Sequence, residues 1–233
     1  MHAAYRCSAA SNAALVLKMW TAGLIADPRI RTVLERQDRG NYCKDLSTCY
    51  NDSPQQIGWG ITISAPHMHA QALEQLKDHL RPGCKALDVG SGSGYLTVAM
   101  AQMVGDAGQA IGIDHVPELV EWSRENVRRD GKEEMLASGQ LQLFTADGFG
   151  GAPHAAPFDC IHVGAAPLEV PPALKQQLKP GGVLLLPVGP AHDQAFVRIT
   201  RSSDGNDFSE ERLFGVRYVP LTSLEAQLGR RAN

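Results

Sequence analysis

Residues 87–94 read Leu87-Asp88-Val89-Gly90-Ser91-Gly92-Ser93-Gly94 and carry the strongest local signal in the chain. The stretch leaves an apolar run, passes three alternate glycines and enters the amphipathic segment Tyr95 to Val104. A strand that turns at once into a helix needs glycine, which takes positive φ freely and lets the backbone approach a ligand closely. A second apolar run, Ile111-Gly112-Ile113-Asp114, ends 24 residues after Gly90. A carboxylate there can accept hydrogen bonds from both hydroxyls of a ribose.

The spacing of the glycines narrows the ligand. Gly90, Gly92 and Gly94 are tighter than a pyrophosphate loop, and Asp88 precedes them. That pattern suits S-adenosylmethionine, which carries no phosphate and so leaves no need for an open helix N-terminus. Asp88 is expected to reach the methionine amino group, directly or through water. Ala146-Asp147-Gly148 follows a third apolar run, Leu141 to Thr145, where the Asp147 carboxylate can take the exocyclic amine of adenine. Asp-Gly alone marks a turn; its order after the first two elements gives it meaning.

On either side of residue 87 the pattern predicts an alternation of short apolar strands and amphipathic helices. Strands are expected at Lys85 to Val89, Gln109 to Ile113, Leu141 to Thr145, Phe158 to Val163 and Val183 to Pro187. Helices are expected at Tyr95 to Val104, Pro117 to Arg129 and Pro172 to Leu178. Right-handed crossovers then give a parallel sheet covered on both faces. Two more strands, Gln194 to Thr200 and Leu213 to Val219, flank the turn-rich Ser202 to Asn206, and a short helix follows from Ser223 to Leu228. Upstream, Ser11 can cap a helix over Ala13 to Thr21 with Gly23 as its stop. Asp27 with Pro28 opens a second helix, and Pro66 a third that ends near Pro82-Gly83. Gly40 to Ile63 has no clean period and reads as an ordered loop. The fold class is α/β: a doubly wound, mainly parallel sheet. The chain is read as one domain. Residues 1–10 are set apart as a candidate disordered or processed segment, 11–82 hold helices and loop, 83–190 the cofactor core, and 191–233 the last strands and helix.

Bulk composition excludes several classes. With 233 residues, 43% hydrophobic and 20% charged, the chain supports one substantial core, and no stretch approaches the length of a membrane span. Net charge is −3 and the 22 Lys and Arg are scattered, so no polyanion partner is announced and no nucleic acid or membrane is expected. Five cysteines without CxxC, CxxH or HExxH spacing read as free thiols in a reducing compartment. Met1 to Ala26 lack acidic residues, a composition shared with organellar transit peptides. The capped helix within that segment argues for folded structure instead, and the protein is expected in the cytosol as a monomer.

The residues also resemble a known family. The runs Asp52 to Gly58, Thr62-Ile63-Ser64-Ala65-Pro66-His67-Met68-His69-Ala70, Ala86 to Gly94, Ile111 to His115, Phe158 to Ala166, Leu178 to Gly182 and Tyr218 to Thr222 look like protein-L-isoaspartate (D-aspartate) O-methyltransferases. The likeness spans about residues 11 to 228, and the segment Thr62 to Ala70 is far more specific than any glycine loop. It implies a sheet of the Rossmann-like methyltransferase type with extra N-terminal helices and an antiparallel C-terminal portion, and a protein carboxyl O-methyltransferase that uses S-adenosylmethionine, yields S-adenosylhomocysteine and acts on isoaspartyl-containing proteins and peptides as a repair step. It further implies a cofactor held by Ile61, Thr62, Ile63, Ser64, His69, Val89, Gly90, Ser91, Gly92, Ser93, Asp114, His115, Asp147, Gly148, Thr222 and Gln227, with Ser64 in the place of the active-site serine. Acceptance of D-aspartyl β-carboxylates is left open. Two departures stand out: Ile61 where the family often has a smaller residue, and Pro167 after Gly164-Ala165-Ala166, which bears on peptide preference.

An isoaspartyl α-carboxyl has a pKa of about 3.5, so the nucleophile arrives ionised and no general base is required. Ser64 is the candidate for orienting that carboxylate with its hydroxyl; a helix cap ahead of Pro66 is its bland alternative. His67, His69 and His115 do not make a metal site by spacing, since residues i and i+2 of a helix face different ways; no metal is expected. His162, at the end of the fourth strand, reads as core or rim. Two rivals share the fold. A nucleic-acid methyltransferase would show an Asn/Asp-Pro-Pro-Tyr motif after the fourth strand, or a Pro-Cys nucleophile, where this chain has Val163-Gly164-Ala165-Ala166. A non-catalytic adaptor has no reason to keep Ser64, the glycine loop and Asp114 together.

Overall fold

The protein is described here by a computed structural model that covers residues 7–229, the side chain of residue 228 excepted. Residues 1–6, within the segment expected to be disordered or processed, lie outside the described residues, as do 230–233.

Helices α1 (Asn12–Thr21), α2 (Pro28–Glu35) and α3 (Pro66–Leu76) precede the sheet. The first two start as anticipated: the Ser11 hydroxyl accepts from Ala14 N at 3.3 Å, and the Asp27 carboxylate from Arg29 N at 2.8 Å with Pro28 in the first turn. Between α2 and α3 lies a small antiparallel hairpin, β1 (Gln55–Gly58) with β2 (Ile61–Ile63). The sequence reading has a loop here, because strands of four and three residues are too short to display a period. The hairpin tip puts Gly58, Trp59 and Gly60 all at positive φ.

The core is β3 (Lys85–Val89), α4 (Tyr95–Val104), β4 (Gln109–Asp114), α5 (Pro117–Arg129), α6 (Glu133–Ser138), β5 (Leu141–Thr145), β6 (Phe158–Val163), α7 (Pro172–Gln176), β7 (Leu178–Val188), β8 (Gln194–Arg201), β9 (Phe208–Val216) and α8 (Leu224–Gly229). The seven strands lie in the order β5-β4-β3-β6-β7-β8-β9, parallel through β7 and antiparallel beyond it. From β3 the chain steps outward through β4 to β5, then returns to β6 on the other side of β3. Right-handed crossovers in opposite directions place α4 and α5 on one face and α7 on the other. The reversal leaves a crevice beyond the carboxyl ends of β3 and β6, the usual ligand place in open α/β sheets.

Strand alternation divides the core. Ala86, Ala110 and Cys160 turn toward the layer of α1 to α5, while Leu87, Val89, Ile111, Ile113, Ile161 and Val163 pack on the opposite face with Leu174. The helix-facing residues are small, so α4 sits close on the sheet. Gly112 belongs to that face, and a Cβ there would stand 2.7 Å from Leu143 Cδ2, 2.9 Å from Ser91 Cβ and 2.9 Å from Thr97 Oγ1. Gly112→Ala is therefore expected to cost ~1–3 kcal/mol by overpacking. A thermal melt should show Tm lower by several degrees, at about 2–4 °C per kcal/mol for a chain of this size.

Three elements differ from the sequence reading by more than two residues. β7 begins at Leu178 rather than Val183, running through Lys179-Pro180-Gly181-Gly182 with an irregular register against β6. β9 covers Phe208 to Val216 instead of Leu213 to Val219. Its first five residues are exposed on the edge strand, so no burial period marks them, and residues 217–219 leave the sheet to let Val219 O accept from Ala166 N at 2.8 Å. The third helix stops at Leu76, with a turn before Pro82, and α6 was not anticipated.

Candidate methyl-donor and acceptor site

The glycine loop is built as its spacing requires. Gly90, Gly92 and Gly94 take φ of +75°, +53° and +83°, a region closed to most side chains. Gly90 N and Ser91 N both donate to Ile113 O, at 2.8 and 3.0 Å, tying the loop to the end of β4. Across the sheet reversal, Gly164 N donates to Val89 O at 2.7 Å. The two strand ends are thus held together at the crevice.

A pocket partly open to solvent lies over these ends. Ile61, Gly90, Asp114, His115, Gly148, Thr222 and Gln227 line it, all anticipated from the sequence. Asp114 is 6% exposed. Its Oδ2 accepts from Gly92 N at 3.2 Å and its Oδ1 from Val116 N at 3.1 Å. Each oxygen keeps a lone pair for a ligand hydroxyl. Burial raises the pKa of this carboxyl, opposed by those backbone donors. Gly148 lacks a side chain for a packing reason, since a Cβ would come within 2.9 Å of Leu221 Cδ1 and 3.0 Å of Val89 Cγ1. A buried carboxylate with spare acceptors, a glycine loop and an apolar floor fit an adenosyl group.

Other anticipated residues stand outside that lining. Val89 ends β3, and Ser91, Gly92 and Ser93 form the loop behind the cavity; Thr62 and Ile63 belong to β2. Asp147 is exposed, and its Oδ1 accepts from Phe149 N at 3.1 Å. Asp88 departs most from expectation. It is 2% exposed, with His162 Nδ1 2.8 Å from Oδ1 and Thr97 Oγ1 donating to Oδ2 at 2.6 Å. Both oxygens are engaged inside the protein and the residue does not line the cavity, because its side chain follows the strand's inward alternation toward α4. His162 is accordingly core, at 5% exposure.

Ser64 sits half-buried between β2 and α3, and does not cap the helix: the N-cap is Ala65 and makes no side-chain bond. Asp52 from the preceding loop caps instead, its Oδ1 accepting from His67 N at 3.0 Å and lying 2.7 Å from His67 Nδ1. Burial pushes the Tyr218 phenol up, with the Ser64 side chain acting against it. The Ser64 carbonyl accepts from Arg39 Nη2 at 2.8 Å. Tyr218 and Arg39 escaped the sequence reading as site residues, since neither stands at a spacing that links it to Ser64. Tyr218 is locked by Gln194, whose Nε2 donates to Tyr218 O at 3.2 Å and whose Oε1 accepts from Tyr218 N at 2.6 Å. Gly164, Ala165, Val219, Pro220 and Leu221 also line the cavity; runs of small or apolar residues after strands carry no individual signal. The roof is fastened by Gln227, whose Nε2 donates to Trp59 O at 2.6 Å.

The three histidines singled out go to separate places: His67 to Asp52, His69 against Arg39 at 3.4 Å, and His115 to the cavity wall. Among the described residues no helix is long and apolar enough to cross a membrane.

Comparison with known proteins agrees with this geometry. The protein-L-isoaspartate(D-aspartate) O-methyltransferase family matches residues 10–226. A protein-L-isoaspartate O-methyltransferase of Triticum aestivum is 50% identical over 217 residues, 93% of this chain and 94% of the relative. One from Caenorhabditis elegans is 42% identical over 228 residues, 97% of this chain and 99% of the relative. A crystal structure from Plasmodium falciparum, described as a protein-L-isoaspartate O-methyltransferase in complex with S-adenosyl-L-homocysteine, superposes with a TM-score of 0.85 at 36% identity, covering 92% of this chain and 99% of that one.

Proposed function

The chain belongs to the protein-L-isoaspartate(D-aspartate) O-methyltransferase family, and from that premise we propose that it methylates the free α-carboxylate of L-isoaspartyl residues in damaged proteins and peptides, using S-adenosylmethionine. The single observation that carries the residue assignment is the meeting of Asp114, the Gly90 loop and Gly164 around one cavity at the sheet reversal.

When bound there, S-adenosylmethionine supplies an electrophilic methyl on a sulphonium and S-adenosylhomocysteine as leaving group. The electron pair of a carboxylate oxygen forms the new O–CH₃ bond, and the methyl–sulphur pair stays on sulphur. No proton moves, so the residues' task is alignment, a contribution worth roughly 7–11 kcal/mol when geometry is good. Asp114 is assigned to the ribose, with Gly92 N and Val116 N holding its carboxylate in place. His115, Gly148, Thr222, Gln227 and Ile61 enclose the adenosyl group. Thr62, Ile63, His69, Val89, Ser91, Ser93 and Asp147 are assigned to the cofactor's surroundings, and Asp88 supports the loop from within through Thr97 and His162.

Ser64 is assigned to the acceptor. Its hydroxyl can donate to one carboxylate oxygen and leave the other free to attack. A neutral donor orients the nucleophile without quenching its charge as a guanidinium would. The reaction joins an anion to a cation and yields two neutral products, a change favoured where water is excluded.

The expected result with a radiolabelled methyl donor is base-labile ester on a peptide containing one isoaspartyl residue, and background counts on its normal aspartyl twin. A D-aspartyl peptide in the same series settles the second acceptor. Label on RNA or DNA but not on the isoaspartyl peptide would overturn the reading.

A further inference from the structure

We infer that Arg39 is a positioning residue of this site, a buried guanidinium that fixes His69 as the neutral ring protonated on Nε2 and pins the main chain of Ser64. Arg39 follows the Asp38 cap of a short 3₁₀ turn, and its side chain runs inward to 0% exposure. Isolated buried charges are costly and are kept only where several partners satisfy them. Here Nε donates to Cys49 O at 3.0 Å, Nη2 to Ser64 O at 2.8 Å, and Nη1 faces His69 Nδ1 at 3.4 Å. The guanidinium carbon lies 5.6 Å from the centre of the Tyr95 ring, against which His69 also packs, with ring centres 4.8 Å apart.

Guanidinium offers donors only. The His69 nitrogen that faces it must therefore present a lone pair, which leaves the ring's one proton on Nε2. A protonated His69 would aim an N–H at a cation in a dry interior. The charged neighbours act in the same direction: burial first, then the fields of Arg39, His162 and His67, hold His69 well below its ordinary pKa. Asp52, whose field reaches Arg39, is bonded to His67 rather than to His69. Around Arg39 itself stand Cys43, Tyr95, Asp52 and Cys49.

The consequence is a hydrogen-bond donor on the far edge of the His69 ring that carries no positive charge. The same guanidinium holds the Ser64 carbonyl at the entry to α3, so one side chain sets both groups. This role rests on the methyl-donor reading of the pocket. The His69 ring can be examined without turnover, however, so failure here is distinguishable from failure of that reading.

The test is a long-range ¹H–¹⁵N correlation on histidine-labelled protein, with His69 assigned through His69→Gln. The wild-type ring is expected in the Nε2–H tautomer, unchanged from about pH 5.5 to 8.5. In Arg39→Met it should begin to titrate or populate the Nδ1–H form, with turnover at saturating donor about tenfold lower. A wild-type ring that is Nδ1-protonated, or that titrates near its ordinary pKa, overturns the assignment whether or not the variant folds. So does a folded Arg39→Met whose His69 signals match the wild type.

Discussion

Ser64→Ala is expected to lower single-turnover methyl transfer by about 10²-fold while leaving donor affinity within about threefold. The magnitude follows from one hydrogen bond to a charged group, worth ~1.5–3 kcal/mol, or ~10–150-fold in rate. The selectivity follows from position. Ser64 lies between β2 and α3, outside the lining of the cavity over Gly90 and Asp114, and its main chain is held by Arg39 whatever its side chain does. Removing the hydroxyl frees the acceptor carboxylate to rotate without disturbing the adenosyl pocket. Rapid-quench kinetics at saturating donor, beside calorimetric titration of S-adenosylhomocysteine, separates the two quantities. An unchanged rate in the folded variant removes Ser64 from the mechanism.

Asp114→Ala should have the opposite signature: donor binding weaker by 10²-fold or more, with the rate at saturating donor largely retained. Two ribose hydrogen bonds to an anion are lost, each ~1.5–3 kcal/mol, and Gly92 N and Val116 N lose their acceptor as well. Binding that is equal in ground and transition states changes KM rather than kcat. The wild type carries a pH signature of the same group. Because burial raises the Asp114 pKa, the folded protein binds that proton more tightly than the unfolded chain. Its contribution to folding stability therefore falls as pH rises from its unfolded pKa, about 3.9, through its raised folded value. Donor affinity runs the other way, because the ribose needs the anion. On acidification it should decline at higher pH than an ordinary carboxylate would produce, and Asp114→Asn should abolish that slope. Calorimetric titrations across acid pH check this; an equal slope in the Asn variant assigns it elsewhere.

Much of this molecule is legible in one dimension because its signals are local. A glycine run between an apolar strand and an amphipathic helix, an acid at the end of the next strand, and proline or aspartate at helix starts all follow from short-range sterics and hydrogen bonding. β3, β5, β6, α4 and α5 accordingly have the bounds expected of them. Edges and short elements are less legible. β9 is exposed over its first half, so its pairing with β8, rather than any hydrophobic period, defines it. The hairpin of β1 and β2 is held by cross-strand bonds and by Gln227, a partner 168 residues away from Trp59.

The reading of Asp88 marks the boundary most clearly. Its place ahead of the glycines is plain in the sequence, but which face of β3 its carboxylate takes, and that Thr97 and His162 would claim both oxygens, depends on strand register and helix packing. The same holds for Arg39 and Tyr218, which reach Ser64 from 25 residues before it and from the far end of the chain. From its residues alone the chain announces an α/β nucleoside-binding core and the chemistry its motifs resemble, since backbone geometry and apolar periodicity act between near neighbours. The surroundings of each charge belong to the folded whole, because burial and hydrogen-bond partners come from segments that meet only once the sheet has closed over them.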